Sequence, residues 1–187
     1  MRSLSGKNIL MVIPRNQFDE DELLPTRNAL ESAGARVVIL SKSGQEAVGM
    51  HKTRIQPHGM IIDWNKQAGI LGKYDAVLLV GGKGAPKSLW DDPILPQILT
   101  DHFRAGKVVG AIGLSVIVLA RASFLIQKEA SGPGEERFQK ELEEGSGYYS
   151  EEPVTRCDRI ITASGGEAVN EFVEAVSSVL MEEETAE

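Results

Sequence analysis

The stretch from Lys107 to Ala120, KVVGAIGLSVIVLA, restricts the fold more than any other part of the chain. Its first half is an uninterrupted apolar run of strand length, and its second half reads as an apolar helix. Between them lies a sharp turn at Gly113. A strand that is apolar throughout must be covered on both faces, as in the middle of a parallel sheet. Strand, turn and helix in this order are also the layout of a nucleophile elbow, whose central residue takes a strained backbone conformation and aims its side chain into a pocket. Glycine reaches such conformations without strain and brings no side chain. The elbow is therefore expected here without its nucleophile.

The remaining elements agree with a sheet of this kind. Strands are expected at Asn8–Ile13, Arg36–Leu40 and Asp75–Val80, with short strand-like pieces between Thr53 and Ile62. A helix over Asp21–Ala33 places Leu23, Leu24, Leu30 and Ala33 on one face, with Pro25 in its first turn and Gly34 as its stop. Further helices are read at Asp92–Ala105, from the elbow to Ala122, and over Glu135–Glu144 up to Gly145. Val154–Cys157 and Ile160–Thr162 form a hairpin around Asp158-Arg159, and Val169, Phe172, Val173, Val176, Val179 and Leu180 mark the last helix. Apolar strands alternating with amphipathic helices make an α/β architecture with a mostly parallel sheet. Ligand sites in such sheets sit at the carboxyl ends of the strands. Here those ends are Pro14–Glu22, Gly81–Gly84 and Gly113–Ser115.

Length and charge narrow the function classes. With 187 residues, the chain is expected to form one domain over residues 1–187. A net charge of −7 and the absence of a basic run argue against nucleic acid as a partner. A single cysteine, Cys157, excludes an intramolecular disulfide and a cysteine-rich zinc site. No apolar run reaches membrane-spanning length and Met1 to Lys7 lacks a signal-peptide core, so the default location is cytoplasmic with no membrane partner. Glu182 to Glu184 reads as a solvated acidic end.

Several motifs, taken in order, are similar to those of the ThiJ/PfpI superfamily, which is related to class I glutamine amidotransferase domains. The resemblance rests on FDEDELLP from Phe18 to Pro25, YDAVLLVGG from Tyr74 to Gly82, and AIGLS from Ala111 to Ser115 followed by LARA ending at Ala122. YYSEEPVTRCDRIIT from Tyr148 onward and Glu171-Phe172 complete it. The resemblance implies a flavodoxin-like three-layer α/β/α sandwich that assembles into homo-oligomers. It also implies a cysteine at the elbow, often followed by histidine, held by an acidic partner. This chain has Gly113 and Leu114 at those places, and no histidine near Ser131-Gly132-Pro133, where many members carry another. The acidic partner corresponds to Glu22, or to Asp21 if the loop is one residue shorter. Family chemistry needs a low-pKa thiolate with that carboxyl group and backbone N–H donors nearby.

Individual residues have plainer readings beside the functional ones. Gly113 is read as a natural loss of the nucleophile; an engineered change or a slip in register fits less well, since Leu114, Ser115 and Val116 also depart while the flanks match. Ser115 is better explained as a helix-start hydroxyl satisfying a backbone N–H than as a displaced nucleophile. Asp21 or Glu22 is either a pocket carboxylate or a helix N-terminal acid favoured by the dipole; buried without a thiol, its pKa should rise. Gly81 to Ser88 imitates a phosphate loop, but Pro86 removes an N–H that such a loop needs, so the better reading is a Gly81-Gly82 turn whose N–H groups line the pocket as oxyanion-type donors. His51, His58 and His102 lack metal spacing; His58 is expected near the pocket rim and His102 on an exposed helix face. Cys157 is a structural or surface thiol, and Trp64 and Trp90 flank loops on the pocket side.

The leading expectation is a family member without cysteine-dependent hydrolase, glyoxalase or deglycase activity. It would keep a pocket for a small-molecule ligand at Gly81, Gly82, Gly113, Leu114 and Glu22, with no cofactor and no metal, or act through a homo-oligomer. The competing expectations are an enzyme using Glu22 as general acid or base and a chaperone-like interaction module with an exposed apolar patch.

Overall fold

The apolar runs of the sequence lie side by side. The structure, a computed structural model, describes residues 3–68 and 72–182. Its strands are β1 (Asn8–Val12), β2 (Arg36–Ser41), β3 (Ala47–Val48), β4 (Arg54–Ile55), β5 (Gly59–Met60), β6 (Ala76–Leu79), β7 (Val108–Ile112), β8 (Glu129–Ser131), β9 (Tyr148–Ser150), β10 (Val154–Cys157) and β11 (Ile160–Ala163). Its helices are α1 (Glu20–Ser32), α2 (Ala85–Ser88), α3 (Leu95–Arg104), α4 (Val116–Arg121), α5 (Glu136–Glu144) and α6 (Val169–Glu182). The main sheet has the order β10-β11-β7-β6-β1-β2-β5. Every neighbouring pair in it is parallel except the β10–β11 hairpin. This is the expected flavodoxin-like arrangement.

Strand periodicity divides the core into two layers. Successive side chains of a strand point to opposite faces. Ile9, Met11, Leu78 and Val108 therefore face one side, where they pack with Leu23 and Leu30 of α1 and Phe172, Val176 and Leu180 of α6. Leu10, Val12, Val77, Leu79 and Val109 face the other, with Ile98 and Leu99 of α3, Ile117 of α4, and Phe138 and Leu142 of α5. Each fully buried aliphatic or aromatic side chain stabilises the fold by about 1.5–3 kcal/mol relative to exposure. No helix among the described residues is long and apolar enough to cross a membrane.

Capping explains where the helices depart from their expected bounds. Asp19 is the N-cap of α1, its side chain accepting from the Asp21 N–H at 2.9 Å. The helix thus begins at Glu20, and Pro25 falls in its second turn, inside the helix and not in the first turn as expected. Asp92 accepts from the N–H groups of Ile94 and Leu95 at 2.8 and 3.1 Å, so it lies ahead of α3 and not within it.

Two aromatic-end expectations are corrected. His102 is fully buried, because Trp64 and Tyr74 pack over its ring at centroid distances of 5.2 and 6.0 Å. Its Nδ1 lies 2.7 Å from the Ile98 carbonyl, and its Nε2 accepts from the Tyr74 N–H at 3.1 Å. That pairing assigns the proton to Nδ1 of a neutral ring, and burial lowers the pKa of the imidazole. This cluster also places Trp64 at the amino end of β6, opposite the expected pocket side. At the acidic end Glu182 is exposed and its two carboxylate oxygens accept from Arg156 at 3.0 and 2.8 Å; Glu183 and Glu184 lie outside the described residues.

Candidate functional site

The chain folds four carboxyl-side turns against one another. They follow β1, β6, β7 and β11, and they enclose a cavity of about 290 Å³. Asp19 and Glu22 reach it from the start of α1, Gly82 and Lys83 from the turn after β6, and Gly113 and Leu114 from the elbow. Pro133, Glu135 and the Ser164–Glu167 turn close the other side.

Gly113 has φ +62°, the left-handed conformation expected of an elbow. A Cβ on this residue would lie 2.7 and 2.9 Å from the two carboxyl oxygens of Glu22. Glu22 therefore stands where an elbow side chain would begin. Gly81 is equally confined: a Cβ there would lie 2.7 Å from the Ile112 carbonyl oxygen and 2.8 Å from Glu22 Oε1. Gly82, at φ +114°, would drive a Cβ to 2.3 Å from the Gln17 carbonyl oxygen. All three positions admit only glycine without local movement.

The carboxyl group of Glu22 is held from the β6 turn. The Gly81 N–H donates to Glu22 Oε1 at 2.9 Å, while the Asp19 N–H donates to the Gly81 carbonyl at 3.1 Å. Asp19 and Glu22 have the spacing of a capping box, in which the acid at the third helical position reaches back to the cap N–H. Here Gly81 intervenes and takes both roles, which turns Glu22 toward the elbow. Glu22 is 3% exposed. Burial raises its pKa well above the usual carboxylate range, and the neighbouring Asp19 and Glu167 carboxyl groups push the same way. The single Gly81 hydrogen bond opposes them and does not compensate.

The structure thus brings together Gly81, Gly82, Gly113, Leu114 and Glu22. Asp21 points elsewhere, packing beside Gly166 outside the cavity lining. The oxyanion-donor expectation is corrected at Gly81, whose N–H is already committed to Glu22. Ser115 is fully buried and donates to the Val80 carbonyl at 2.6 Å. It ties the elbow to β6 and satisfies a carbonyl, not the N–H group expected. His58 lies at the sheet edge, its Nδ1 accepting from the Ile39 N–H at 2.9 Å, and does not line the cavity. Cys157 pairs in register with Ile160 at the amino end of β11, the opposite end of the sheet from Gly113. Trp90 does support the elbow: its Nε1 donates to the Leu114 carbonyl at 2.8 Å. Among the described residues no group of three or more His, Cys, Asp or Glu side chains is placed to hold a metal ion.

Asp19, Lys83, Glu135 and Glu167 were not singled out by sequence. The capping-box spacing of Asp19 and Glu22 was a usable signal. Glu135 and Glu167 had none, since each looks like an ordinary acid at a helix start.

Residues 7–178 match the profile of the DJ-1/PfpI family. An uncharacterized protein of Methanocaldococcus jannaschii is 32% identical over 161 residues, covering 86% of this chain and 76% of that protein. The glutathione-independent glyoxalase DJR-1.2 of Caenorhabditis elegans is 24% identical over 166 residues, covering 89% of this chain and 84% of its own. Among solved structures, the ThiJ/PfpI domain protein from Brachyspira murdochii superposes with a TM-score of 0.84 at 26% identity, covering 95% of this chain and 99% of that one.

Proposed function

The chain belongs to the DJ-1/PfpI family, and from that premise we propose that it is a member without the cysteine-dependent hydrolase, glyoxalase or deglycase chemistry, using the elbow cavity to bind a small molecule. The observation that carries this reading is Gly113 at φ +62° with the Glu22 carboxyl group 2.7 Å from where its Cβ would be. The elbow conformation is kept, and a carboxylic acid fills the space of the missing side chain. Cys157, at the far end of the sheet, is no substitute for it. A cavity of about 290 Å³ is at the small end of ligand pockets. A protonated Glu22 would offer an O–H donor to a carbonyl or hydroxyl oxygen. Asp19, Glu135 and Glu167 around it disfavour an anionic ligand.

The test is turnover of methylglyoxal and of a fluorogenic peptide by the purified protein, beside a Gly113→Cys/Leu114→His variant. We expect the natural protein to be silent with both substrates. The variant is expected to gain measurable turnover, because room for a sulfur atom needs only that the Glu22 carboxyl group rotate aside. Turnover by the natural protein that survives Cys157→Ser would overturn the reading.

A second reading is favoured by the same raised pKa: Glu22 as a general acid in chemistry without a nucleophile. It requires that any turnover by the natural protein disappear in Glu22→Gln while the fold, followed by circular dichroism, is unchanged.

A further inference from the structure

The phosphate-loop imitation from Gly81 to Ser88 is not exhausted by the elbow. Its second half lines a separate cavity of about 470 Å³. Arg15, Lys42 and Lys87 bring three cationic groups to this recess, and Asn16, Gln17 and Ser88 supply the polar remainder. No carboxylate lines it among the described residues. None of the three cations has an ion-pair partner among the described residues either. Three of one sign facing one recess repel each other unless an anion joins them.

The recess has a rigid wall. A Cβ on Gly84 would lie 1.8 Å from the Asn16 carbonyl oxygen, so the loop after β1 and the loop after β6 are interlocked. The Gly84 N–H donates to the Gln17 carbonyl at 3.1 Å, and the Arg15 N–H donates to Ser88 Oγ at 3.2 Å. Gln17 is held at φ +56°, a conformation that costs a non-glycine residue about 1–2 kcal/mol. Asn16 Oδ1 accepts from the Val48 N–H at 3.1 Å, which fixes the same loop from its other side.

The same backbone hydrogen bonds govern how a ligand would be recognised. The N–H groups of Arg15, Gln17, Gly84 and Ser88 are all engaged within the protein. These four N–H groups form no amide cradle, in agreement with Pro86 in the middle of the segment. The side-chain donors at the recess are the guanidinium, the two ammonium groups and the side-chain amides. Three exposed cations at the rim of a wide recess suit a compact dianion better than a single carboxylate, and the remaining volume suits the body of a small metabolite.

We propose that this second cavity binds a phosphorylated small molecule, its phosphoryl group held among Arg15, Lys42 and Lys87. The cavity is distinct from the acid-lined elbow site and stands or falls independently of it.

The experiment is isothermal titration calorimetry on the full chain at constant ionic strength, with glucose 6-phosphate, pyrophosphate, glucose and citrate as probes. Glucose 6-phosphate and pyrophosphate should bind saturably and glucose should not. The Lys42→Gln/Lys87→Gln variant should weaken both phosphate probes about tenfold or more. The two side chains are exposed, so the variant should fold, which its unfolding midpoint checks. Lys140→Gln, on α5 and outside the cavity, should change binding less than twofold. Absence of binding by both phosphates, or equal binding in the double variant, overturns the proposal. Citrate binding without phosphate binding overturns the phosphoryl assignment.

Discussion

Glu20 and Glu22 lie two residues apart in the first turn of α1, 5% and 3% exposed. The folds around them treat the two carboxyl groups in opposite ways. Glu20 turns to the loop that follows β3, where Oε1 accepts from the N–H groups of His51 and Thr53 at 2.8 and 3.2 Å. Its cover is thin. Burial raises its pKa, but its own N–H and those of His51 and Thr53 outweigh that and leave it lowered. Glu22 turns inward, receives one N–H from Gly81, and meets two further acids. Burial dominates there and the pKa rises. Solvent exclusion is similar for both residues. What separates them is the number of donors aimed at the charge and the sign of the charges around it.

The largest effect should come from removing the space that Glu20 occupies. A Cβ on Gly49 would lie 2.0 Å from Glu20 Oε1 and 2.9 Å from the Phe18 ring. Gly49→Ala should therefore expel the carboxylate and leave two N–H groups unpaired, at a cost of roughly 2–4 kcal/mol. A urea midpoint equal to that of the natural protein would show that the loop yields freely and that Glu20 is not held.

The same substitution at the two acids should sharpen the comparison. Glu20→Gln keeps an acceptor but loses the charge, for a loss of about 1 kcal/mol at neutral pH. A lowered folded-state pKa contributes stability that is present above the unfolded value, about 4.3, and is lost as pH falls through the folded value. The deficit of Glu20→Gln should accordingly close in acid when unfolding is measured between pH 3 and pH 7. A deficit that persists at pH 3 would mean that packing, not charge, is what the variant loses.

Glu22→Gln should show the smallest effect and the opposite trend. Its raised folded-state pKa gives stability that is full below the unfolded value and lost as pH rises through the folded value. Glutamine keeps the Gly81 hydrogen bond and cannot ionise. The variant should match the natural protein at acid pH and become the more stable of the two as pH rises, by up to about 1 kcal/mol. Destabilisation that grows toward high pH would reverse the assignment of the buried proton.

Much of the architecture was legible in advance. Strand runs such as Val108–Ile112 are apolar at every position, and only a sheet covered on both faces accommodates that. Gly113 was legible as well, because a glycine between an apolar strand and an apolar helix marks a backbone conformation. The errors have a common source. His102 looked exposed because Asp101 and Arg104 flank it on a short helix, and nothing local shows that Trp64 and Tyr74, distant in the chain, close over it. Pro25 lies in the second turn and not the first, because the cap, Asp19, starts the helix at Glu20, one residue ahead of the expected Asp21. Asp21 and Glu22 could not be separated, since both suit a helix N-terminus.

The sequence by itself determined the parallel sheet, its two covering layers and the absence of a side chain at the elbow, because periodicity and residue type are local properties. Tertiary structure alone decided which acid faces Gly113, that Gly81 spends its N–H on that acid, and that the pKa values of Glu20 and Glu22 are driven in opposite directions. It also separated one glycine-rich segment into an acidic cavity and a basic one. Those outcomes depend on where the turns after β1, β6, β7 and β11 meet, and such distances are set by packing between residues far apart in the chain.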